Sequence, residues 1–226
     1  MIYILGDELG FPHPDLANED GLLCVGGDLS PERLKLAYQN GIFPWSDEPA
    51  MWFCPDPRAV LDLTNYKPSK SLKRTLKTQK FTITFDQEFQ AVMELCADTR
   101  EDTWISDEFI ESYTELHEEG LAHSMEIYLG DDLVGGMYGL SFGTAFMGES
   151  MFHLVRDASK VAFAALAYQL KDWGFSLLDC QVSNEHLLSL GCEEIPRAAY
   201  LLQLAQALKN DTKMEPWVYD PKSLLK

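Results

Sequence analysis

Apolar positions along the chain fall into two rhythms. Apolar residues three and four apart predict helices in the segment opening "PERLKLAYQ", in "KSLKRTLK", in "FQAVMELCADT" (89–99), in "DEFIESYTELHEEG" (107–120) and in "DASKVAFAALAYQLKDWGF". Short apolar or alternating runs predict strands in "LLCV", in "FTITFD" (81–86), on both sides of the "GDD" turn, around Gly139 and Gly143, and in "SLLDCQV". The punctuation agrees with this division. Ser30 is placed to cap a helix with Pro31 at its first position, Asn40-Gly41 stops that helix, Asp157 lies where the long helix should be capped, and Gly174 ends it. Gly26 and Gly27 precede a helix, but a phosphate-loop pattern is absent and Asp28 would repel an anion, so the pair reads as a structural turn. The order predicts an α+β fold in which a sheet meanders, a long helix crosses and another strand returns.

At 226 residues and 46% hydrophobic content the chain can bury one large core, or a main domain with a small one. No run approaches the roughly eighteen apolar residues of a membrane span, and "MIYILGDELGFPHPD" has neither a basic leader nor an apolar signal core, so the expected location is the cytoplasm. Five Cys without a CxxC spacing and five scattered His predict reduced thiols and no metal.

The net charge of −18 argues against a nucleic-acid partner until its distribution is read. In "YKPSKSLKRTLKTQK" six basic residues stand without an acid, and Lys70, Lys73, Arg74 and Lys77 form one helical stripe. Such a face can lie along a phosphate backbone; a solvated helix surface is the plainer alternative. The acidic run over 98–132, opposed by Arg100 alone, reads as a solubilising surface. "IFPWSDEPAMWFCPDPRAVLDL" combines prolines with Phe43, Trp45, Trp52 and Phe53, a rigid platform on which a base could stack or a small apolar core.

"LLDCQVSNEH" gathers an Asp, a Cys, a Gln and a His. Strand alternation sends Asp179 and Gln181 to one face and Cys180 to the other, separating the thiol from its neighbours. An acid and amide pair can hold an amine or relay its proton, whereas polar residues capping a loop are an equal alternative on the residues alone. Glu149, after another apolar strand, offers a second carboxylate or a structural hydrogen bond.

The blocks "GLLCVGGDLSPERLKLAYQNGIFPW", "MWFCPDPRAVL", "TWI", "LVGGMYG", "GESMF", "DASK", "LLDCQ" and "HLLSLGCEEIPR" together resemble the leucyl/phenylalanyl-tRNA–protein transferase family, in order and across nearly the full chain. His153-Leu154 stands where that family is expected to carry Ser-Arg. Element order alone also resembles the acyl-CoA N-acyltransferase superfamily, but "HLVRDASK" before the crossover helix contains no Gly and offers no diphosphate loop.

The resemblance implies a small N-terminal α/β domain over 1–62 and a larger acyl-CoA N-acyltransferase-like domain with a mixed sheet over 63–226. It implies an enzyme without metal or cofactor that moves Leu or Phe, and Met less well, from charged tRNA to an N-terminal Arg or Lys of an acceptor protein, marking it for N-end-rule degradation. A monomer is expected. By the same resemblance Asp179 and Gln181 are catalytic, Glu149 fixes the terminal adenosine or the aminoacyl amine, Trp45, Trp104 and Tyr113 surround the adenosine, and Met137, Phe146 and Leu178 form the amino-acid pocket. The basic stripe is the expected tRNA contact. An acyl-CoA-dependent N-acetyltransferase and a non-catalytic tRNA-binding module are the competing readings.

An acceptor α-amine of pKa about 7.8 is neutral in roughly one molecule in seven at pH 7, so a strong base is unnecessary. Orientation, a proton acceptor and oxyanion donors are what the reaction needs. An ordinary Asp, pKa about 3.9, is a poor base, which places positioning and electrostatics first for Asp179.

Overall fold

The computed structural model describes residues 2–99 and 103–225, so Arg100, Glu101 and Asp102 of the acidic run lie outside the described residues. The chain opens with β1 (Tyr3–Leu5), β2 (Leu22–Gly26), α1 (Pro31–Gln39), β3 (Phe43–Asp47) and β4 (Ala50–Phe53). These strands form a four-stranded sheet in the order β1-β2-β4-β3. The Ser30 hydroxyl accepts from the Arg33 N–H at 3.4 Å and Pro31 occupies the first helical position, as predicted. Gly26 and Gly27 both have positive φ, and Arg33 packs so closely that a Cβ on Gly27 would stand 2.9 Å from its Nε. The double glycine is a turn shaped around a buried guanidinium.

Next come β5 (Arg58–Leu61), α2 (Lys70–Lys77), β6 (Thr82–Phe85), α3 (Phe89–Asp98), α4 (Asp107–Glu118), β7 (Ala122–Leu129), β8 (Asp132–Phe142), β9 (Ala145–His153), α5 (Ala158–Asp172), β10 (Leu177–Gln181), α6 (Glu185–Leu190), β11 (Glu193–Ile195) and α7 (Arg197–Ala207). Seven strands make a mixed sheet in the order β11-β5-β10-β9-β8-β7-β6. The meander is β6 to β9, α5 is the crossover, and β10 returns parallel to β9, which is the predicted α+β plan. β5, on the N-terminal side of the expected division at 62, pairs antiparallel with β10 inside this larger sheet.

α5 covers one face with Val161, Phe163, Leu166 and Leu170 against Met125, Met137, Phe146 and Leu178. α3, α4 and the small sheet share a second core on the other face, with Phe109, Tyr113, Tyr138, Tyr38 and Trp52. Each fully buried Leu, Val or Phe contributes about 1.5–3 kcal/mol, so the crossover helix is fixed by its apolar stripe. Gly135 lets its first turn approach β8, since a Cβ there would lie 2.5 Å from that of Ala158. The predicted cap by Asp157 does not form: Asp157 is left-handed (φ 72°), and its carboxylate instead accepts from the Thr75 hydroxyl at 3.0 Å, tying α5 to α2. Among the described residues no helix is long and apolar enough to cross a membrane.

Candidate active site

The ladder between β9 and β10 stops at Met147 opposite Asp179, and a cavity of about 640 Å³ opens beyond that point. Residues that continue the two strands, Gly148 to Met151 and Cys180 to Ser183, form part of its wall. Parallel strands lose their backbone partners where they part, and the freed space at their carboxyl ends is a usual place for a ligand. Met137, Phe163 and Leu178 supply an apolar recess, Trp45 and Trp104 stand at the wall, and α6 adds His186 and Leu187. Trp45 is 40% exposed while Trp52 is fully buried, with its indole N–H donating to the Gly26 carbonyl at 2.9 Å. The aromatic segment thus serves both readings: Trp52 is core and Trp45 faces the cavity.

Glu149 and Gln181 meet across the parted strands. The Gln181 amide donates to Glu149 Oε1 at 2.5 Å. On its other side Glu149 accepts from the Tyr113 hydroxyl at 3.5 Å, and Tyr113 is hydrogen-bonded to Tyr38. Burial pushes the Glu149 carboxyl up to about 8; the Asp179 charge adds to the rise, while hydrogen bonds from Tyr38 and Gln181 oppose it. Burial and then the Glu149 charge push both phenols well up, so they remain donors.

Asp179 is fully buried behind this pair. Its carboxylate takes a bidentate grip from Arg58, Nε at 2.8 Å and a terminal nitrogen at 2.6 Å, and accepts from the Tyr200 hydroxyl at 2.8 Å. Its Oδ1 also accepts from the Gln181 backbone N–H at 2.9 Å. That bond holds Gln181 at φ 61°, a left-handed backbone uncommon outside glycine, at a break in the β5 pairing.

These elements coincide with known proteins over almost their whole length. The family description leucyl/phenylalanyl-tRNA protein transferase matches residues 60–205, and the description of its N-terminal domain matches residues 27–56. The chain belongs to this family. A leucyl/phenylalanyl-tRNA–protein transferase of Thermodesulfovibrio yellowstonii is 48% identical over 96% of this chain and 91% of its own length. One of Desulforapulum autotrophicum is 47% identical over 96% and 98%. Among solved structures, a GCN5-related N-acetyltransferase from Sphaerobacter thermophilus is similar with a TM-score of 0.40 and 14% identity, covering 80% of this chain and 60% of that one.

Within this leucyl/phenylalanyl-tRNA–protein transferase family member, the residues expected at the site separate into two layers. Trp45, Trp104, Met137, Glu149, Leu178 and Gln181 line the cavity. Tyr113 and Phe146 are fully buried outside the cavity wall: Tyr113 supports Glu149, and Phe146 packs 5.6 Å from the Trp217 ring. The expectation that Asp179 and Gln181 share one face as an acid and amide pair needs correction. The break at Cys180 interrupts the two-residue alternation, so Asp179 points into the protein and Gln181 into the cavity. The amide's acidic partner is Glu149.

Cys180 also reaches the cavity wall, but its thiol lies 3.4 Å from that of Cys192. That contact, and then burial, push the Cys180 thiol well up, which opposes a thiolate nucleophile. Lys70, Lys73, Arg74 and Lys77 are exposed along α2 while Leu72 is buried, so the predicted stripe faces solvent. Arg58, Tyr38 and Tyr200 were not singled out from the sequence. The available signal for Arg58 was a single charge inside "RAVL", a strand buried at all four positions.

Proposed function

We propose that the protein transfers Leu or Phe, with Met a poorer donor, from charged tRNA to the α-amine of a protein beginning with Arg or Lys. The observation that carries the reading is the Glu149–Gln181 pair, set at the end of parted strands in a cavity with an apolar recess. Trp45 and Trp104 stack on the terminal adenosine, and Met137, Leu178 and Phe163 receive the amino-acid side chain. Such a recess separates one methylene by only about 1–3 kcal/mol, so it tolerates Leu, Phe and Met together. The acidic surface favours approach of an acceptor whose first residue carries positive charge.

The acceptor's neutral amine attacks the ester carbonyl of the aminoacyl-tRNA, and an N–C bond forms. Its proton passes to the Glu149 carboxylate, the C–O bond to the ribose breaks, and the proton is returned to the departing ribose oxygen. A carboxyl raised to about 8 can take and return a proton near neutral pH. Gln181 holds Glu149 and the amine, and Asp179 positions Gln181. The activated ester supplies the driving force. In this reading the protein acts as a monomer in the cytoplasm and marks its acceptors for N-end-rule degradation.

An Arg-initiated peptide incubated with Leu-tRNA, Phe-tRNA or acetyl-CoA and weighed by mass spectrometry tests this reading. Leu and Phe additions are expected; acetylation, or tRNA binding without product, would replace the proposal by one of its competitors. Changing Lys70, Lys73, Arg74 and Lys77 together to Ala is expected to weaken use of whole tRNA at least tenfold, by roughly 1.4 kcal/mol or more. Use of a minimal aminoacyl-adenosine donor should remain within about twofold, because that donor does not extend to the stripe. Equal losses with both donors would refute a phosphate role for α2.

A further inference from the structure

All five cysteines are free and buried, and the thiols of two of them, Cys180 and Cys192, lie 3.4 Å apart. The proton-transfer scheme uses neither. Cys180 stands in β10 between Asp179 and Gln181, at the break in the β5 pairing, and reaches the wall of the cavity. Cys192 immediately precedes β11, which pairs with the other edge of β5. β5 therefore runs between the two chain segments, and its Ala59 and Leu61 share a core with both thiols.

The chain between the two cysteines, residues 181–191, leaves the sheet, turns through α6 and comes back. Gln181, Val182, Ser183, Asn184, His186 and Leu187 from this excursion line the cavity. The paired thiols sit at its base. Bonded sulfurs stand about 2 Å apart, so joining these two draws the end of β10 towards β11 by an appreciable part of the difference from 3.4 Å. Gln181 is the next residue. Its left-handed backbone is held by the Asp179 carboxylate and its amide meets Glu149 at 2.5 Å, so it cannot follow such a pull and keep both contacts. A misplacement of about 1 Å in a reacting constellation can cost on the order of 10²-fold in rate.

We propose that Cys180 and Cys192 form a redox-modification site, at which hydrogen peroxide joins the two thiols in a disulfide that stops transfer and a dithiol reductant restores it. One thiol loses its proton and its sulfur attacks a peroxide oxygen; an S–O bond forms, the O–O bond breaks, and the departing hydroxide takes up a proton as water. The second sulfur then displaces the sulfenic oxygen, which leaves as water, and the S–S bond forms. Two thiols lose two electrons and two protons, and one peroxide becomes two waters. Contact with Cys192, and then burial, hold the Cys180 thiol protonated, so oxidation is slow at neutral pH and accelerates as pH rises. The bond-forming chemistry stands apart from the proposed aminoacyl transfer; only the effect on transfer rests on that reading.

The test treats the full chain with hydrogen peroxide at pH 7 and pH 8.5, alkylates the remaining thiols, and reads cross-linked peptides by mass spectrometry alongside transfer to an Arg-initiated peptide. A disulfide between Cys180 and Cys192 is expected, forming faster at pH 8.5, with transfer falling at least tenfold as it accumulates and returning with dithiothreitol. Cys192→Ala should transfer within about twofold of the natural protein before treatment and lose less than twofold under the same peroxide, and Cys192→Ser should behave alike. Absence of the cross-link, a cross-link with unchanged transfer, or equal losses in the natural protein and both variants overturns the switch. A chain that forms the cross-link but transfers nothing before treatment overturns the aminoacyl-transfer reading and leaves the modification site standing.

Discussion

Asp179→Ala is expected to destabilise the protein by about 3–5 kcal/mol, the usual cost of leaving one member of a buried ion pair without its partner. Arg58 is 1% exposed and Asp179 fully buried, so water cannot replace the lost carboxylate, and Tyr200 and the Gln181 N–H lose their acceptor as well. Urea denaturation measures the loss as a lower midpoint at an unchanged slope. A paired replacement, Arg58→Met with Asp179→Leu, removes both charges and should recover most of the stability. It should stay severely impaired in transfer, because nothing then holds Gln181 in its left-handed backbone. A stable Asp179→Ala protein, or a fully active double variant, would remove the positioning role assigned to Asp179.

Glu149→Gln is expected to lower the transfer rate by about 10²–10⁴, the range for removing a positioned proton acceptor. The pH profile provides the sharper measurement. Two groups must lose a proton before reaction, the acceptor amine with pKa about 7.8 and Glu149 at about 8. Below both values the logarithm of the natural protein's rate should rise with pH at a slope near two, flattening above them. The variant should rise with a slope near one. An identical profile in both proteins would mean that Glu149 carries no proton in the reaction.

The same shift has an opposite consequence for stability. Unfolded, Glu149 ionises near its ordinary 4.5, whereas folded it keeps its proton to about 8. Between those values the native state binds the extra proton, so this group's contribution falls as pH rises through the window and is lowest above pH 8. Glu149→Gln should therefore be more stable than the natural protein at pH 8, by on the order of 1–3 kcal/mol, with little difference below pH 4.5. An activity loss accompanied by a stability gain distinguishes a functional carboxylate from a structural one.

Local patterns made most of the elements legible. Ser30-Pro31 starts α1 and Gly120 closes the α4 turn with φ 77°, because capping and left-handed stops are written in neighbouring residues. The basic stripe was equally readable, since helical spacing alone decides which side chains share a face. Asp179 was harder. Its alternation with Gln181 presumes an even ladder, and the break at Cys180 is imposed by a hydrogen bond from Gln181 and a guanidinium 121 positions upstream. Tyr113 was placed at the site but not behind it, because its contact with Tyr38 depends on how α1 packs against α4. The raised Glu149 carboxyl was out of reach for the same reason: depth of burial is a property of the assembled sheets.

Arg58 has one further consequence. Besides Asp179 and Tyr200 it donates to the Gly41 carbonyl at 3.1 Å, and its guanidinium lies 4.9 Å from the centre of the Phe43 ring. One side chain in the larger sheet thus grips the turn that leads into the smaller one. The two sheets lack independent unfolding: parting them exposes a buried cation, and melting either removes its ligands. Heat or denaturant should take both down in a single cooperative transition, making the molecule one thermodynamic unit despite its two sheets.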